Sequence, residues 1–518
     1  MIQQKKKIVL FLPHRADPGR GEMFSADLLP LELLQIASGP ASEGYEIVLL
    51  DAMIEENYIE KVLEACDGAL CFASSCILGY QVYDGYVVAQ AVRERFPDLP
   101  IIWGGWFPSV TPEMYLETNI ADAVCIGQGE IAFHEIVQAL ESGEDLANIP
   151  GLAVKRDGRT IYTDHREVVG FDQFQPVPWH LLEYERYAEL QIRPTQKKVR
   201  HRFPLPGDWT PENPPRAFSH FSSFGCPEPC TFCCSPGVTG RRWKAIPGKQ
   251  LAEEIAELQA RFKFDVLRFQ DANFGVAEKR TKEFCQGLVD LEVPIHWNGT
   301  IEVETIMRYK PETLDLLEES KCHLLWLGAE TGTWAMQERI KKNIKLENIP
   351  AAIGELAKRG IVPGTFWIIG YPGETQESME ETLRQAAKVK HAYPIAGSEV
   401  YPFRPIPGTE DFDAAVKLGY EPPQGFEEWG DCFEYKYNAQ NTPIPASVRE
   451  TWTHYNNTAS IYDKHVEEGP QWMRDLLSKA AGWRLKRGTY SFPIEQKIFD
   501  LYVRVTGQAQ GGDALTKA

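Results

Sequence analysis

Three cysteines, Cys226, Cys230 and Cys233, stand in the run Phe224-Gly225-Cys226-Pro227-Glu228-Pro229-Cys230-Thr231-Phe232-Cys233, with three and then two residues between them. The apolar stretch Ala217 to Phe224 before them reads as a strand, and Lys249 to Phe262 after them has helical periodicity, so the thiols lie on a strand-to-helix loop. Three thiolates so spaced wrap three corners of one cubic iron-sulfur cluster and leave the fourth iron without a protein ligand. A structural zinc knot would pair this run with a second short-spaced couple, whereas Cys285, Cys322 and Cys432 are isolated. A cluster used only for electron transfer needs a fourth thiolate, and Cys234, adjacent to Cys233, is too close to reach the opposite corner.

The rest of the chain bounds what such a loop serves. Its 518 residues give room for two or three domains, each with a core. A formal net charge of -19 argues against nucleic acid or an anionic membrane as the main partner. Eleven cysteines without framework spacing point to a reducing compartment, and a cytoplasmic location is expected. The lysines at 5, 6 and 7 and the run Ile8 to Leu12 stop at Pro13-His14-Arg15, too short for an export signal, and read as a first buried strand. No apolar run is long enough to span a bilayer.

Residues 1–150 alternate apolar runs with amphipathic ones. Strands are expected at Ile8 to Leu12, Glu46 to Leu50, Ala69 to Ala73, Ile101 to Trp103 and Ala123 to Ile126, separated by helical stretches. That pattern is α/β, a doubly wound five-strand parallel sheet whose ligand belongs at the carboxyl ends of its strands. Ser75-Cys76-Ile77 follows the third strand, Gly104-Gly105 the fourth and Gly127-Gln128-Gly129-Glu130 the fifth. The glycines let backbone approach a bulky ligand, and the serine offers a hydroxyl.

Residues 151–215 read as a proline-rich linker, after a strand at Gly151 to Lys155, with Pro176, Pro178, Pro194, Pro204, Pro206, Pro211, Pro214 and Pro215. Over 216–410 six strands alternate with helices, a partial (β/α)6 barrel with its strand ends on one face. Gln270-Asp271-Ala272-Asn273 after the second barrel strand presents a carboxylate and amides; Gly328-Ala329-Glu330-Thr331-Gly332 ends the fourth, and Phe366 to Glu374 the fifth. Asp271 and Glu374 also fit ordinary helix capping. The segment 411–518 reads as mostly helical, packed over the barrel mouth, with Trp452, Tyr455, Tyr462, Trp472 and Trp483 as a core stripe.

These residues carry a resemblance. CxxxCxxC with Phe232 as its aromatic resembles the signature of radical S-adenosylmethionine (SAM) enzymes, in which SAM chelates the open iron of one [4Fe-4S] cluster held by Cys226, Cys230 and Cys233. The resemblance implies that Gln270, Asp271, Asn273 and Glu330 accept from the SAM ammonium or ribose, and that the strand with Ile368 and Gly370 contacts adenine. Ser75, Ile77, Gly104 and Gly105 resemble the tail pocket of cobalamin-binding domains, and Gly127, Gly129 and Glu130 the Gly-Glu-Gly-Glu turn of those fused to radical SAM barrels. The aspartate-x-histidine motif that ligates cobalt in many such domains is absent around His14, which implies cobalamin without a protein histidine ligand.

Nearly the whole chain thus resembles the cobalamin-dependent radical SAM family, in the branch with anaerobic magnesium-protoporphyrin ester cyclase and radical SAM methylases. The implied activity is methyl transfer to an unactivated carbon of a small molecule, through a 5′-deoxyadenosyl radical and methylcobalamin, with an external one-electron reductant such as flavodoxin or ferredoxin. Oxidative cyclisation or hydroxylation by the same machinery is the first alternative. A corrinoid-responsive or electron-transfer protein without turnover is the second. A methylthiotransferase is disfavoured, because the extra amino-terminal cysteine cluster is missing.

Overall fold

The computed structural model describes residues 6–20, 25–156, 158–193, 209–210, 213–432, 444–463, 470–490 and 493–506. Pro194, Pro204, Pro206 and Pro211 of the expected linker lie outside them.

Alternation along the first strands builds a two-faced sheet. In β1 (Lys7–Leu12), Val9 and Phe11 join one buried cluster while Ile8, Leu10 and Leu12 join another on the opposite face. β2 (Glu46–Asp51), β3 (Ala69–Ser75), β4 (Ile101–Gly104) and β5 (Ala123–Cys125) complete five parallel strands in the order β2-β1-β3-β4-β5. Helices Tyr58–Cys66 and Tyr80–Arg95 cover the first face, Leu31–Ser42 and Glu130–Ser142 the second, as double winding requires. The sheet then continues beyond the expected five strands: β6 (Leu152–Arg156) and β7 (Arg159–Tyr162) add antiparallel at the β5 edge.

A second sheet of six parallel strands runs in chain order: β8 (Ala217–His220), β11 (Val266–Phe269), β12 (His296–Ile301), β13 (Cys322–Glu330), β14 (Val362–Ile369) and β15 (Gly397–Pro402). Phe269, Trp297, Leu325, Leu327, Trp367 and Val400 turn outward into the helix layer, leaving alternate residues such as Trp326, Phe366 and Tyr401 on the inner face. The strand expected from Ala217 to Phe224 is broken after His220. β9 (Ser223–Gly225) leaves the barrel sheet and pairs antiparallel with β10 (Trp243–Ala245).

The stretch between the sheets is more than a linker. Helix Tyr184–Gln191 bolts them together. The Gln191 side-chain amide donates to the Ala217 carbonyl and accepts from the Ala217 N–H, both at 2.8 Å, acting as a neighbouring strand on the edge of β8. It also donates to the Ala26 carbonyl at 3.2 Å. On the other side the Tyr187 hydroxyl donates to Asp51 at 2.8 Å, at the carboxyl end of β2, and Arg186 pairs with Glu55.

The carboxy-terminal segment divides. Helix Gly425–Gly430 packs on the first unit, with Phe426 stacked on Tyr86 at 4.4 Å. Helix Ala446–Tyr462 closes the β15 edge, where Trp452 Nε1 donates to the Val400 carbonyl and the Tyr455 hydroxyl to that of Ser398, both at 2.7 Å. Trp452 and Tyr455 are core residues as expected, but Trp472 and Trp483 face solvent, because the helix carrying them buries Met473, Leu477, Ala481 and Leu485 instead.

Asp51 offers a test of the bolted arrangement. Burial pushes its carboxyl up to about 6, against weaker opposing effects of the Met53 amide, Arg15 and the Tyr187 hydroxyl. The native state therefore binds the extra proton, and stability falls as pH rises from about 4 to about 6. Asp51→Asn removes that loss: the unfolding free energy of the variant relative to the parent, followed by thermal melting, rises across this window by an amount on the order of 2–3 kcal/mol and is level above it.

Candidate active site

Asp271, at the end of β11, accounts for the break in the first barrel strand. One carboxylate oxygen accepts from the Ser222 and Ser223 amides at 2.7 and 3.2 Å, and the other from their hydroxyls at 2.5 and 2.8 Å. Arg280 fixes the same turn from behind, with Nη2 on the Ser222 carbonyl and hydroxyl at 3.1 and 2.6 Å, Nη1 on the Phe274 carbonyl at 3.1 Å and Nε on the Ile246 carbonyl at 2.8 Å. Bending the chain here sends Phe224-Gly225 off the barrel edge and delivers Cys226 at its mouth. Asp271 was expected to accept from SAM, but both its oxygens are already spent within the protein. Its role is to shape the cysteine loop.

Cys226 and Cys230 are buried, and burial pushes the Cys226 thiol up to about 11 and raises that of Cys230 further. Cys233 is raised by its hydrogen bond to Cys234 and by burial, while that same bond lowers Cys234. Without metal Cys226, Cys230 and Cys233 are thiols; a soft metal centre would draw off their protons. Among the described residues no three Cys, His, Asp or Glu side chains converge on one point, as a mononuclear site requires. Three thiols on one loop, each free to meet a separate iron, fit the cubane.

The loop is held from above by residues that sequence reading missed. Thr231 donates through its hydroxyl to Asp411 at 3.0 Å, its amide reaches the Ile340 carbonyl at 3.1 Å, and Asp411 pairs with Arg339 at 2.8 Å. Phe232 enters an apolar cluster with Met336, Ile340, Ile368, Tyr371 and Phe403, so the expected Phe232 and Ile368 do come together. The Gly370 N–H is taken by Glu374 at 2.7 Å, which also caps Tyr371 and Ser378. That amide is therefore not available to an adenine.

Beside Cys230, Lys342 is buried between Glu302, at 2.8 Å, and Glu330, at 3.3 Å. Burial disfavours the ammonium, but the two carboxylates and Cys230 outweigh it and hold Lys342 protonated. Glu330 is raised chiefly by burial and takes φ of 63°, a costly conformation for a residue with a side chain. Gly328 makes room for it, since a Cβ there would lie 2.1 Å from Glu330 Oε1. Two carboxylates against one lysine leave an acceptor site suited to a further cation. Gln270 Nε2 and Asn273 Oδ1 are buried without a hydrogen-bond partner at the end of β11, so these two expected residues also retain bonding capacity for a ligand.

At the first sheet the expected loops converge as well. Gly105 has φ of 90°, and a Cβ on it would lie 2.6 Å from Ser75 Oγ and 2.5 Å from the Cys76 carbonyl, so only glycine lets the β3 and β4 loops meet. Ser109, unforeseen from sequence, joins the third loop: its hydroxyl donates to the Gly105 carbonyl at 2.7 Å and accepts from the Gly127 amide at 3.0 Å. Cys76 N–H reaches the Gly104 carbonyl at 3.3 Å, and Ile77 is half exposed on the rim. Gly129 and Glu130 open helix Glu130–Ser142, where burial pushes the Glu130 carboxyl up to about 7. His14 packs its ring edge-on against Tyr58, with its amide donating to Asp84 at 2.8 Å.

The two sets of loops face each other. A Cβ on Gly127 would stand 3.4 Å from the carbonyl of Val238, in the helix Ser235–Thr239 that follows the cysteines, and Val110 lies against Gly408 at the barrel mouth. Residues 221–386 match the model of the Radical SAM superfamily and residues 22–137 that of the B12 binding domain. The chain carries the two domains of a cobalamin-dependent radical SAM enzyme. Their cofactor set is SAM, a [4Fe-4S] cluster and cobalamin.

Similar proteins include an uncharacterized methyltransferase of Pyrococcus horikoshii, 26% identical over 75% of this chain and 78% of its own length. An anaerobic magnesium-protoporphyrin IX monomethyl ester cyclase of Synechocystis is 24% identical over 73% and 71%. Among solved structures, the radical SAM methyltransferase TsrM from Kitasatospora setae matches 98% of this chain and 100% of its own at 14% identity and a TM-score of 0.64. The cobalamin-dependent radical enzyme OxsB matches 97% and 76% at 14% identity and 0.70, and both likenesses speak for the fold.

Two substitutions separate the two halves of the site. Gly105→Ala lowers cobalamin retained per protein, read by absorbance, and leaves iron content unchanged. Asp271→Asn leaves turn donors and Arg280 without their anion: it costs about 2–3 kcal/mol of stability and lowers iron retention, while SAM affinity of the loaded fraction stays within about twofold.

Proposed function

We propose that this radical SAM protein is a methyltransferase that acts on an unactivated carbon of a small molecule held between the two sheets. The observation that carries it is the approach of the β5 loop to the helix that follows the cysteines, Gly127 to Val238, and of Val110 to Gly408 at the barrel mouth, which brings the strand ends of both sheets to one junction. An sp³ carbon has no lone pair for polar attack on a methyl donor, and the bound cofactors supply what it lacks, a radical that removes hydrogen and a transferable methyl group.

The residues divide the remaining work. Cys226, Cys230 and Cys233 hold the cluster, and Phe232, Ile368 and Tyr371 form the apolar wall beside it. Asn273 and Glu330 accept from SAM and Gln270 donates to it through Nε2, with Lys342 keeping the Glu330 carboxylate oriented. Ser75, Gly104, Gly105 and Gly127 line the corrinoid tail pocket, Ile77 its rim, and Gly129 and Glu130 the turn beside it. His14, tied to Tyr58 and Asp84, is left out of the cobalt coordination. Closing the space between the sheets excludes water and oxygen from a radical, and positioning substrate there does most of the protein's catalytic work.

No general base is required. His296 and His323 face each other at the amino ends of β12 and β13, away from the mouth, and His220 pairs with Glu254 at 3.1 Å beneath Trp179. The substrate and an external one-electron donor are the partners this reading needs, and a cytoplasmic setting supplies both.

The deciding experiment combines anaerobic protein reconstituted with iron, sulfide and cobalamin, a strong reductant, candidate substrates and SAM labelled in its methyl group. Label in the product together with 5′-deoxyadenosine is the expected outcome. Deoxyadenosine with an unlabelled, oxidised product assigns the protein instead to the cyclase or hydroxylase chemistry, and absence of deoxyadenosine removes the proposal.

A further inference from the structure

The helices Gln471–Arg487 and Ile494–Thr506 carry an apolar face on which none of the described residues packs. Along Gln471–Arg487, Met473, Leu477 and Ala481 point inward, whereas Trp472, Leu476 and Trp483 are 68, 59 and 52% exposed. At about 100° per residue these three lie within roughly 40° of one another on the helix. The neighbouring helix Ile494–Thr506 repeats the pattern: Ile494, Ile498 and Leu501 are 61, 46 and 63% exposed, while Phe499 and Tyr502 pack back onto the cluster of Met473 and Leu477. Single exposed hydrophobes need no explanation, but six on two adjoining helices form a surface.

Among the described side chains, the exposed charges of these two helices have one sign. Lys479, Lys486 and Arg487 are exposed on the first helix and Lys497 on the second, with the Arg487 guanidinium 4.2 Å from the Trp483 ring centroid. Among acids of these helices whose side chains are described, Glu495 is buried against Arg484 at 2.8 Å, and Asp475 is half-buried and accepts from Gln471 at 2.9 Å. A cationic, tryptophan-bearing patch is unexpected on a chain of net charge -19.

We propose that this two-helix face docks on an anionic lipid surface. The complementarity is specific: indole rings settle at headgroup depth, leucine and isoleucine reach the acyl boundary, and lysine and arginine meet anionic headgroups. A second copy of the chain is a poor occupant, because a twofold contact would set these same cations against each other. Among the described residues no helix is long and apolar enough to cross a membrane, so attachment by this face is peripheral. Net charge alone argued against an anionic membrane as a partner; the local distribution reverses that for one surface.

The test uses the full chain, loaded with its cluster, and vesicles sedimented with it. Expected are binding to vesicles of phosphatidylcholine with phosphatidylglycerol, weak binding to phosphatidylcholine alone, and loss of binding in high salt. Trp472→Ser, Leu476→Ser and Trp483→Ser together lower the partition coefficient roughly tenfold or more, and Lys479→Gln, Lys486→Gln and Arg487→Gln do the same for the anionic vesicles only, both with unchanged iron content. Failure to sediment with either composition overturns the proposal. So does binding that the variants do not weaken, or a lipid-free dimer that the serine variant dissolves.

Discussion

The structure turns on one buried carboxylate. Asp271 collects the amides and hydroxyls of Ser222 and Ser223, and Arg280 secures the same turn from its other side. A strand that continued past His220 would have kept its hydrogen bonds in the barrel sheet and carried the cysteines along the barrel wall. Because the carboxylate offers the backbone better partners than a neighbouring strand, the chain leaves the sheet and the thiols emerge at the mouth.

Around that loop the protein arranges charge with economy. Lys342 sits between Glu302 and Glu330 beside Cys230, and Arg339 answers Asp411 above Thr231. Buried ions at such a site are costly unless paired, and the pairing here is incomplete by one positive charge in the Lys342 group. The deficit is where a cationic ligand gains most, and the strained backbone at Glu330 is consistent with a side chain held for a ligand rather than for the fold.

The two sheets are joined by hydrogen bonds as well as by one apolar cluster, in which Leu29, Leu31 and Leu34 pack with Tyr184, Tyr187 and Phe218. Gln191 completes the edge of β8, Tyr187 engages Asp51 across the junction, and Leu29 N–H reaches Ser219 Oγ at 3.0 Å. Hydrogen bonds fix orientation as oily contacts do not. That orientation is what sets the cobalamin-type loops over the cysteine loop. The carboxy-terminal segment reinforces it from outside, touching the first unit through Phe426 and the second through Trp452.

Much of this was legible in the chain itself, for local reasons. The apolar run of β1, the helical repeats between strands, the cysteine spacing and the glycines after β3, β4 and β5 are short-range features, and they carried the α/β class and both units, while SAM and cobalamin came from the resemblance of those motifs to a known family. What sequence could not display is partnership at a distance. Asp271 looked like a ligand acceptor until Ser222 and Ser223, 49 and 48 residues away, were seen to occupy it. Lys342 and Asp411 sit in no motif and matter only because the barrel folds them onto the cysteine loop. Trp472 and Trp483 have the spacing of a core stripe, and only the docking of the opposite helix face left them in solvent. Spacing along a chain determines which groups are present and which way they point within an element; which of them meet is decided by packing, because a hydrogen bond or a buried face has no memory of sequence distance.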